Sequence, residues 1–219
     1  MAIILPDGYL VVAYHGIVQL VSNVTRTTVF KDHISWGILK RFFSGIIPGL
    51  ILASFLIYGL MLYYEVSSAS QIKIDFLKPL IGIYIVWFLY IRKKGKPVSD
   101  RAFFAMGGLS GLVTVFIGAA GPLIAPFFIN KGLKKESIIA TKAACQAIGH
   151  IGKIPIFIIL FNVTYISDWQ ILIPLIISVY FGTKFGKMML GKLPEETFKI
   201  LFKVALTIIA IRLIIFNII

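Results

Sequence analysis

The chain of 219 residues is 58% hydrophobic and only 14% charged, with mean hydropathy +0.93; a soluble domain carries about 25% charged residues, so a water-soluble globule is excluded. Net charge is +13, but the cations cluster at the ends of apolar segments, where they set membrane orientation, and no nucleic-acid partner is expected. Cys145 is the single cysteine, which excludes an internal disulfide and a cysteine metal site.

The composition predicts an all-α, polytopic helical membrane protein. Long apolar runs punctuated by Gly and Pro, with little alternation, favour helices over a barrel. The start, MAIIL, is too short and lacks the basic flank of a signal peptide. Tyr9 to Phe30 reads as a first spanning helix that carries His15, Gln19, Asn23 and Arg26. After a turn at Lys31 to His33, an apolar segment broken by Pro48 runs from about Ser35 to Tyr64. A Ser-rich loop leads to a third helix, Ile74 to Ile91. Residues 92–101, RKKGKPVSDR, form a basic linker.

Ala102 to Ile117 reads as a Gly-rich helix that breaks at GAAGP, Gly118 to Pro122, before a short piece, Leu123 to Ile129. Lys131 to Lys135 is basic again, and Ser137 to Phe161 is the next long helix. Within it Lys142, Gln146, His150 and Lys153 are spaced four, four and three apart. That spacing puts them in one stripe about 80° wide. Polar groups inside an apolar helix face protein or a water-filled cavity rather than lipid. Trp169 to Leu190 and Thr197 to Ile218 complete the helices, with Glu195 and Glu196 marking the start of the last one.

The chain repeats itself. An offset of 127 residues carries His15 to Lys142, Gln19 to Gln146, Asn23 to His150, Arg26 to Lys153 and Phe30 to Phe157. After a six-residue insertion, an offset of 133 carries Trp36 to Trp169, Gly49 to Gly182 and Ala53 to Gly186. The matched residues are polar or small, which membrane composition alone does not produce. Basic loops alternate between the halves, as two repeats of inverted topology require. Residues 1–91 are then the first repeat, 92–101 a cytoplasmic linker and 102–219 the second repeat. Lys31, 92–101, 131–135 and Lys192 share the cytoplasmic side. Both ends of Ala102 to Ile129 fall on that side too, so the segment should be re-entrant, beside six full spans.

Inverted repeats and a broken helix are the construction of secondary carriers, with substrate near the midplane. Unpaired N–H groups at a break suit an anion. Gln19, Asn23, Gln146, His150, Gly118, Gly121 and Pro122 are therefore the candidate substrate-binding residues, and His15, Arg26, Lys142 and Lys153 the secondary candidates. Each has a plainer reading. The glutamines can be interhelical glue, worth about 0.6 kcal/mol on average. His150 can bind an anion, shuttle a proton, or be a satisfied packing histidine; its counterpart Asn23 cannot titrate. Arg26 and Lys153 can attract anions at opposite mouths or snorkel to the interface. Gly182 and Gly186 read as a packing face, and Trp36, Trp87 and Trp169 as interface or core aromatics. All nine acids lie at or near segment ends. That argues against a cation pump, and the absence of paired acids, an HExxH helix or a GxxxxGK[ST] loop argues against an enzyme.

The run GGLSGLVTVFIGAAGPLIAPFFINKGL followed by ATKAACQAIGHIGKIP resembles the second repeat of the TauE/SafE family of sulfite and organosulfur anion exporters, and HGIVQLVSNVTR resembles the matching first-repeat element. The resemblance implies a multi-pass carrier in the inner or plasma membrane. It would move small anions such as sulfite or sulfonates, be coupled to the proton-motive force, need no cofactor, and have the bilayer as its main partner; an oligomer is compatible with it. In the family each repeat opens with a Gly-rich element. Here Pro6 aligns with Leu133, so the first repeat reads as N-terminally shortened. The alternative reading is a truncated, non-transporting membrane protein or scaffold subunit.

Overall fold

A computed structural model of the chain describes residues 8–72, 77–92, 98–117, 120–166 and 169–215. They form eight α-helices: α1 Gly8–Val29, α2 Trp36–Tyr63, α3 Leu77–Val86, α4 Ala102–Ile117, α5 Gly121–Asn130, α6 Lys135–Phe161, α7 Trp169–Gly191 and α8 Glu195–Ile215. Short 3₁₀ turns sit at Lys31–His33 and Ala69–Gln71, and α3 continues as one π turn, Trp87–Ile91. No strand occurs among the described residues. The protein is thus an all-α helical membrane protein. Among the described residues α2, α6 and α7 are long and apolar enough to cross a membrane by length and composition. The 28 residues of α2 give about 42 Å at 1.5 Å per residue, more than the roughly 30 Å hydrocarbon core, and Pro48 lies inside the helix.

Glycine sets the tightest contact. α2 lies along α4 with Gly45 and Gly49 facing Gly107, Gly108 and Gly111. A Cβ on Gly45 would sit 2.0 Å from the Phe104 carbonyl oxygen, and one on Gly49 2.1 Å from the Gly108 oxygen. A Cβ on Gly107 would meet the Phe42 oxygen at 2.3 Å. The backbones therefore touch, as in membrane helix pairs built on small residues. α6 packs on α2 and α4 together, its Gly149 and Gly152 receiving Ile46 and Leu50 of α2.

The remaining helices pair as α1 on α6, α1 on α7 and α3 on α8. α3 meets α8 at Gly82, whose Cβ would sit 2.7 Å from the Ala210 oxygen. Tyr90 and Thr207 hydroxyls bond at 2.7 Å across the same pair. Under the sequence offsets, α1 corresponds to α6 and α2 to α7, so α1 on α7 and α6 on α2 are counterpart contacts.

The two ends of the α4–α5 hairpin meet. Lys131 Nζ lies 2.6 Å from Asp100 Oδ1. Glu195 accepts from the Lys135 backbone N–H at 2.9 Å, and the Lys135 ammonium donates to the Leu190 and Leu193 carbonyls. The Ser35 N–H donates to Thr141 Oγ1 at 2.9 Å, and Gly37 lies beside the Asp100 carboxylate. Residues 31–37, 98–101, 131–135 and 190–195 thus gather at one end of the helices. The loop after α6, by contrast, begins at Asn162 in the left-handed conformation, with φ of 55°, and has no Lys or Arg from 162 to 166.

Two expectations change. The helix resumes at Gly121 rather than after Pro122, because Pro tolerates the first turn of a helix, where its missing N–H has no partner anyway. And Gly182 and Gly186 face open space, with nothing within 4 Å of an added Cβ, so the expected packing face on α7 meets no helix among the described residues. Trp36, Trp87 and Trp169 are all exposed on the helix surfaces.

The backbone contact predicts a selective response to small substitutions. Gly49→Ala should lower the melting temperature in detergent, by about 1–3 kcal/mol or more of lost stability. Gly59→Ala, where nothing lies within 4 Å, should leave melting unchanged in the same thermal assay.

Candidate functional site

The site is the α1–α6 seam and the hairpin tip beside it. The polar stripe of α6 is where the spacing placed it. Lys142 Nζ donates to Gln146 Oε1 at 2.9 Å, one helical turn away. His150 is buried, and Lys153 is wholly buried at 0% exposure. The Lys153 ammonium crosses to α1, donating to the Val12 carbonyl at 3.1 Å and lying 5.1 Å over the Phe157 ring. Gly16 makes the passage possible: a Cβ there would sit 2.8 Å from Lys153 Cε. Lys153 therefore does not snorkel to the interface. Burial between two helices, with a carbonyl and a ring face to receive it, has replaced the reach to water.

Arg26 curls back on its own helix and donates to Ser22 Oγ. It also lines a cavity with Ile139 of α6. The 127-residue offset carries Val12 to Ile139 and Lys153 to Arg26, so the residue opposite each cation, a bonded carbonyl for Lys153 and a shared cavity wall for Arg26, falls at a counterpart position. Their electrostatic neighbours exchange in the same way: His15 lies beside Lys153, and Lys142 beside Arg26. His150 is within electrostatic reach of all four.

Beside His150 lies a small cavity of about 10 Å³. Gln146, Gly149 and His150 form one wall, and Ser110, Thr114 and Gly121 form the other. The Gln146 amide occupies the room that Gly121 leaves: a Cβ on Gly121 would sit 2.6 Å from Nε2. The hairpin tip and the α6 stripe are thus fitted to each other at that glycine. The N-terminus of α5 opens here as well: among the described residues Ile124 is the first of its N–H groups to bond back, to Ala120. His150 Nδ1 and Ser110 Oγ are buried and take no hydrogen bond from the described residues, and the same holds for both amide atoms of Asn23. Such groups are the ones a polar ligand satisfies.

The structure brings together Gln146, His150 and Gly121 at the cavity, and His15, Arg26, Lys142 and Lys153 around His150. Pro122 is in the first turn of α5 and is not among the residues lining the cavity. Asn23 is fully buried on α1 and Gln19 half-buried, and neither lines the cavity. Gly118 falls outside the described residues. Ser110, Thr114 and Cys145 line the cavity and are not among the candidates read from the sequence. The available signal was the i, i+4 pair of hydroxyls at Ser110 and Thr114, which share a face of α4.

A family model, sulfite exporter TauE/SafE, matches residues 1–213. The chain belongs to the TauE/SafE family. No curated protein and no solved structure matched it. Membership makes this TauE/SafE protein a membrane transporter of sulfite-like anions, in a transporter family rather than an enzyme family. No His, Cys, Asp and Glu group that could hold a metal ion occurs among the described residues.

The Gly16–Lys153 contact predicts a strong coupling. Gly16→Ala should destabilise the protein by about 1–3 kcal/mol, and should be nearly harmless once Lys153→Ala has removed the side chain it strikes. A double-mutant cycle on thermal stability reads the coupling directly; additive effects would contradict the geometry.

Proposed function

We propose that this TauE/SafE protein carries small oxyanions, sulfite and sulfonates first among them, along the α1–α6 seam. The observation that carries the reading is the charge balance of that seam. His15, Arg26, Lys142 and Lys153 all lie within electrostatic reach of His150, which lines the small cavity together with Gly121 at the α5 N-terminus. The acids of the described residues all stand at element ends: Asp32, Glu65, Asp100, Glu136, Glu195 and Glu196. The ion pairs among these residues lie at the ends too, at Lys131–Asp100, Lys135–Glu136 and Lys199–Glu196. Like charges gathered in a poorly solvated seam repel, and a bound anion relieves that repulsion. A cation would add to it.

In this reading Gln146 and His150 offer hydrogen bonds to the oxyanion, and Gln19 and Asn23 do so from the counterpart helix. The α5 N-terminus, at Gly121 and Pro122, supplies partial positive charge. Lys142 and Arg26 flank the path towards one end, Lys153 and His15 towards the other. The exchange of electrostatic neighbours between α1 and α6 supports two inverted repeats, 1–91 and 102–219, joined by 92–101. The gathering of basic residues at one end supports a cytoplasmic assignment for that end under the positive-inside rule, in a plasma or inner membrane. His150 is the one group of the stripe's centre able to take up and release a proton, so coupling to the proton-motive force would run through it.

Sulfite flux in proteoliposomes tests the proposal. The wild-type protein should move sulfite, and Gln146→Ala with His150→Ala should cut the rate at least about tenfold, the loss of roughly 1.4 kcal/mol of binding. Undiminished flux in the double variant would remove these residues from the path. Orientation has a separate check: Lys131→Cys should be labelled only from the cytoplasmic side.

A further inference from the structure

A second polar cavity lies between α1 and α7, with Ile139 of α6 also on its wall. It measures about 430 Å³. Its polar lining is Ser22 and Arg26 from α1 and Thr183 and Lys187 from α7; no acidic side chain of the described residues lines it. Arg26 sits in the last turn of α1, and Lys187 one turn before the end of α7. Both belong to the end of the molecule where the basic segments gather. The floor is small and apolar, with Val179, Gly182 and Gly186.

The donors there are only partly used. Arg26 gives one N–H to Ser22 Oγ out of five on a guanidinium. Lys187 gives one to the Val29 carbonyl at 3.1 Å and lies 5.5 Å over the Phe30 ring, out of three. Those bonds hold both cations in place and leave the rest of each head for a ligand. Two fixed cations and two hydroxyls around one cavity suit an oxyanion, which accepts several charge-assisted hydrogen bonds at once. A water molecule takes about 30 Å³ of liquid volume, so the cavity exceeds a lone small oxyanion several-fold. It has room for a hydrated anion, or for a phosphate with the start of an acyl chain over the glycines.

The cavity also has a relation to the first one. The offsets carry Ser22 to Gly149, Val179 to Ile46 and Gly182 to Gly49. Gly149 and Ile46 line the small cavity at His150, which α4 and α5 close with Ser110, Thr114 and Gly121. On the α7 side no helix among the described residues stands in that place, since Gly182 and Gly186 have nothing within 4 Å of an added Cβ. Among the described residues the side lined by α7 carries the two cations, Arg26 and Lys187.

We propose that Ser22, Arg26, Thr183 and Lys187 form a second oxyanion site between α1 and α7, distinct from the path along the seam. Its ligand is an oxyanion of phosphate or sulfite type, presented either as the free anion or as the headgroup of an anionic lipid. Basic pockets between membrane helices at the cytoplasmic face bind such headgroups. The site shares Arg26 with the transport reading, so its test turns on Thr183 and Lys187, which the path does not use.

The full-length protein in phosphatidylcholine nanodiscs is titrated with sulfite by calorimetry. In parallel, native mass spectrometry follows retention of phosphatidylglycerol against phosphatidylcholine. Thr183→Val, Lys187→Gln, the pair together, Lys187→Arg, and Gln146→Ala with His150→Ala are compared. If the site takes the free anion, sulfite binding that survives in the Gln146 and His150 variant weakens about tenfold when Thr183→Val and Lys187→Gln are added. If it takes a lipid phosphate, those two substitutions reduce retained phosphatidylglycerol about tenfold and leave phosphatidylcholine unchanged. Lys187→Arg keeps either ligand. Unchanged sulfite binding together with unchanged phosphatidylglycerol retention in the Thr183 and Lys187 pair overturns the proposal. Sulfite binding insensitive to Gln146 and His150 but lost with Lys187 would overturn the path reading and leave this site standing.

Discussion

The distance between the backbones of α2 and α4 is the constraint on which the site depends. Gly45 and Gly49 against Gly107 and Gly111 let two helices touch main chain to main chain. Side chains of ordinary size would hold them apart at about 8–10 Å between axes. That closeness places α4 against the middle of the bundle, so that Ser110 and Thr114 reach the cavity beside His150. It also delivers the hairpin tip to Gln146, where Gly121 repeats the device on a smaller scale by giving its missing side chain's volume to an amide. Two glycine contacts, one between helices and one between a helix start and a side chain, thus fix the wall of the site.

Charge is the second theme, and it runs against the usual behaviour of membrane helices. Buried cations are costly unless something receives them. Lys153 is received by a backbone carbonyl and a ring face on the way through the Gly16 notch, and Arg26 by a hydroxyl one turn away. The carboxylates that would neutralise them most simply stay at the helix ends. A protein that handled cations would have placed acids in the seam. This one has gathered positive and neutral donors there, the arrangement expected of a family that exports sulfite-like anions.

Most of the fold was legible because membrane helices are written in length and hydropathy. The ends of α4 came out as read, and those of α1, α6 and α7 within two residues. The hairpin was legible for a different reason: Lys and Arg sided with one end, and the Lys131–Asp100 pair closes it there. Legibility failed where three-dimensional fit decides. Nothing in the local sequence says that Lys153 has a glycine opposite it on another helix, so its burial could not be told from snorkelling. The step from Gly118–Pro122 as a break to Gly121 as a helix start depended on how Pro122 would be used. Gly182 and Gly186 looked like a packing face because the spacing is right for one, yet a spacing specifies no partner. Of the candidate residues, Gln146, His150 and Gly121 converge at the cavity, while Gln19 and Asn23 remain on α1 outside it.

The interlock of α2 and α4 bears on motion as well as on position. A pair whose backbones are in contact cannot slide or roll past each other without collision, since each glycine notch accepts one stretch of the opposing chain. Packed surfaces of this kind switch between discrete arrangements rather than deform continuously. α2 and α4, with the α6 glycines locked onto Ile46 and Leu50, therefore travel as one block. α7 has no such notch filled. Its contact with α1 rests on side chains, Tyr14, Val18 and Leu172 and the Lys187 ammonium on the Val29 carbonyl, which can exchange partners and slip. If the seam is to open alternately to the two faces of the membrane, the joint that gives is on the α1–α7 side, and the block around α4 is the frame against which it turns.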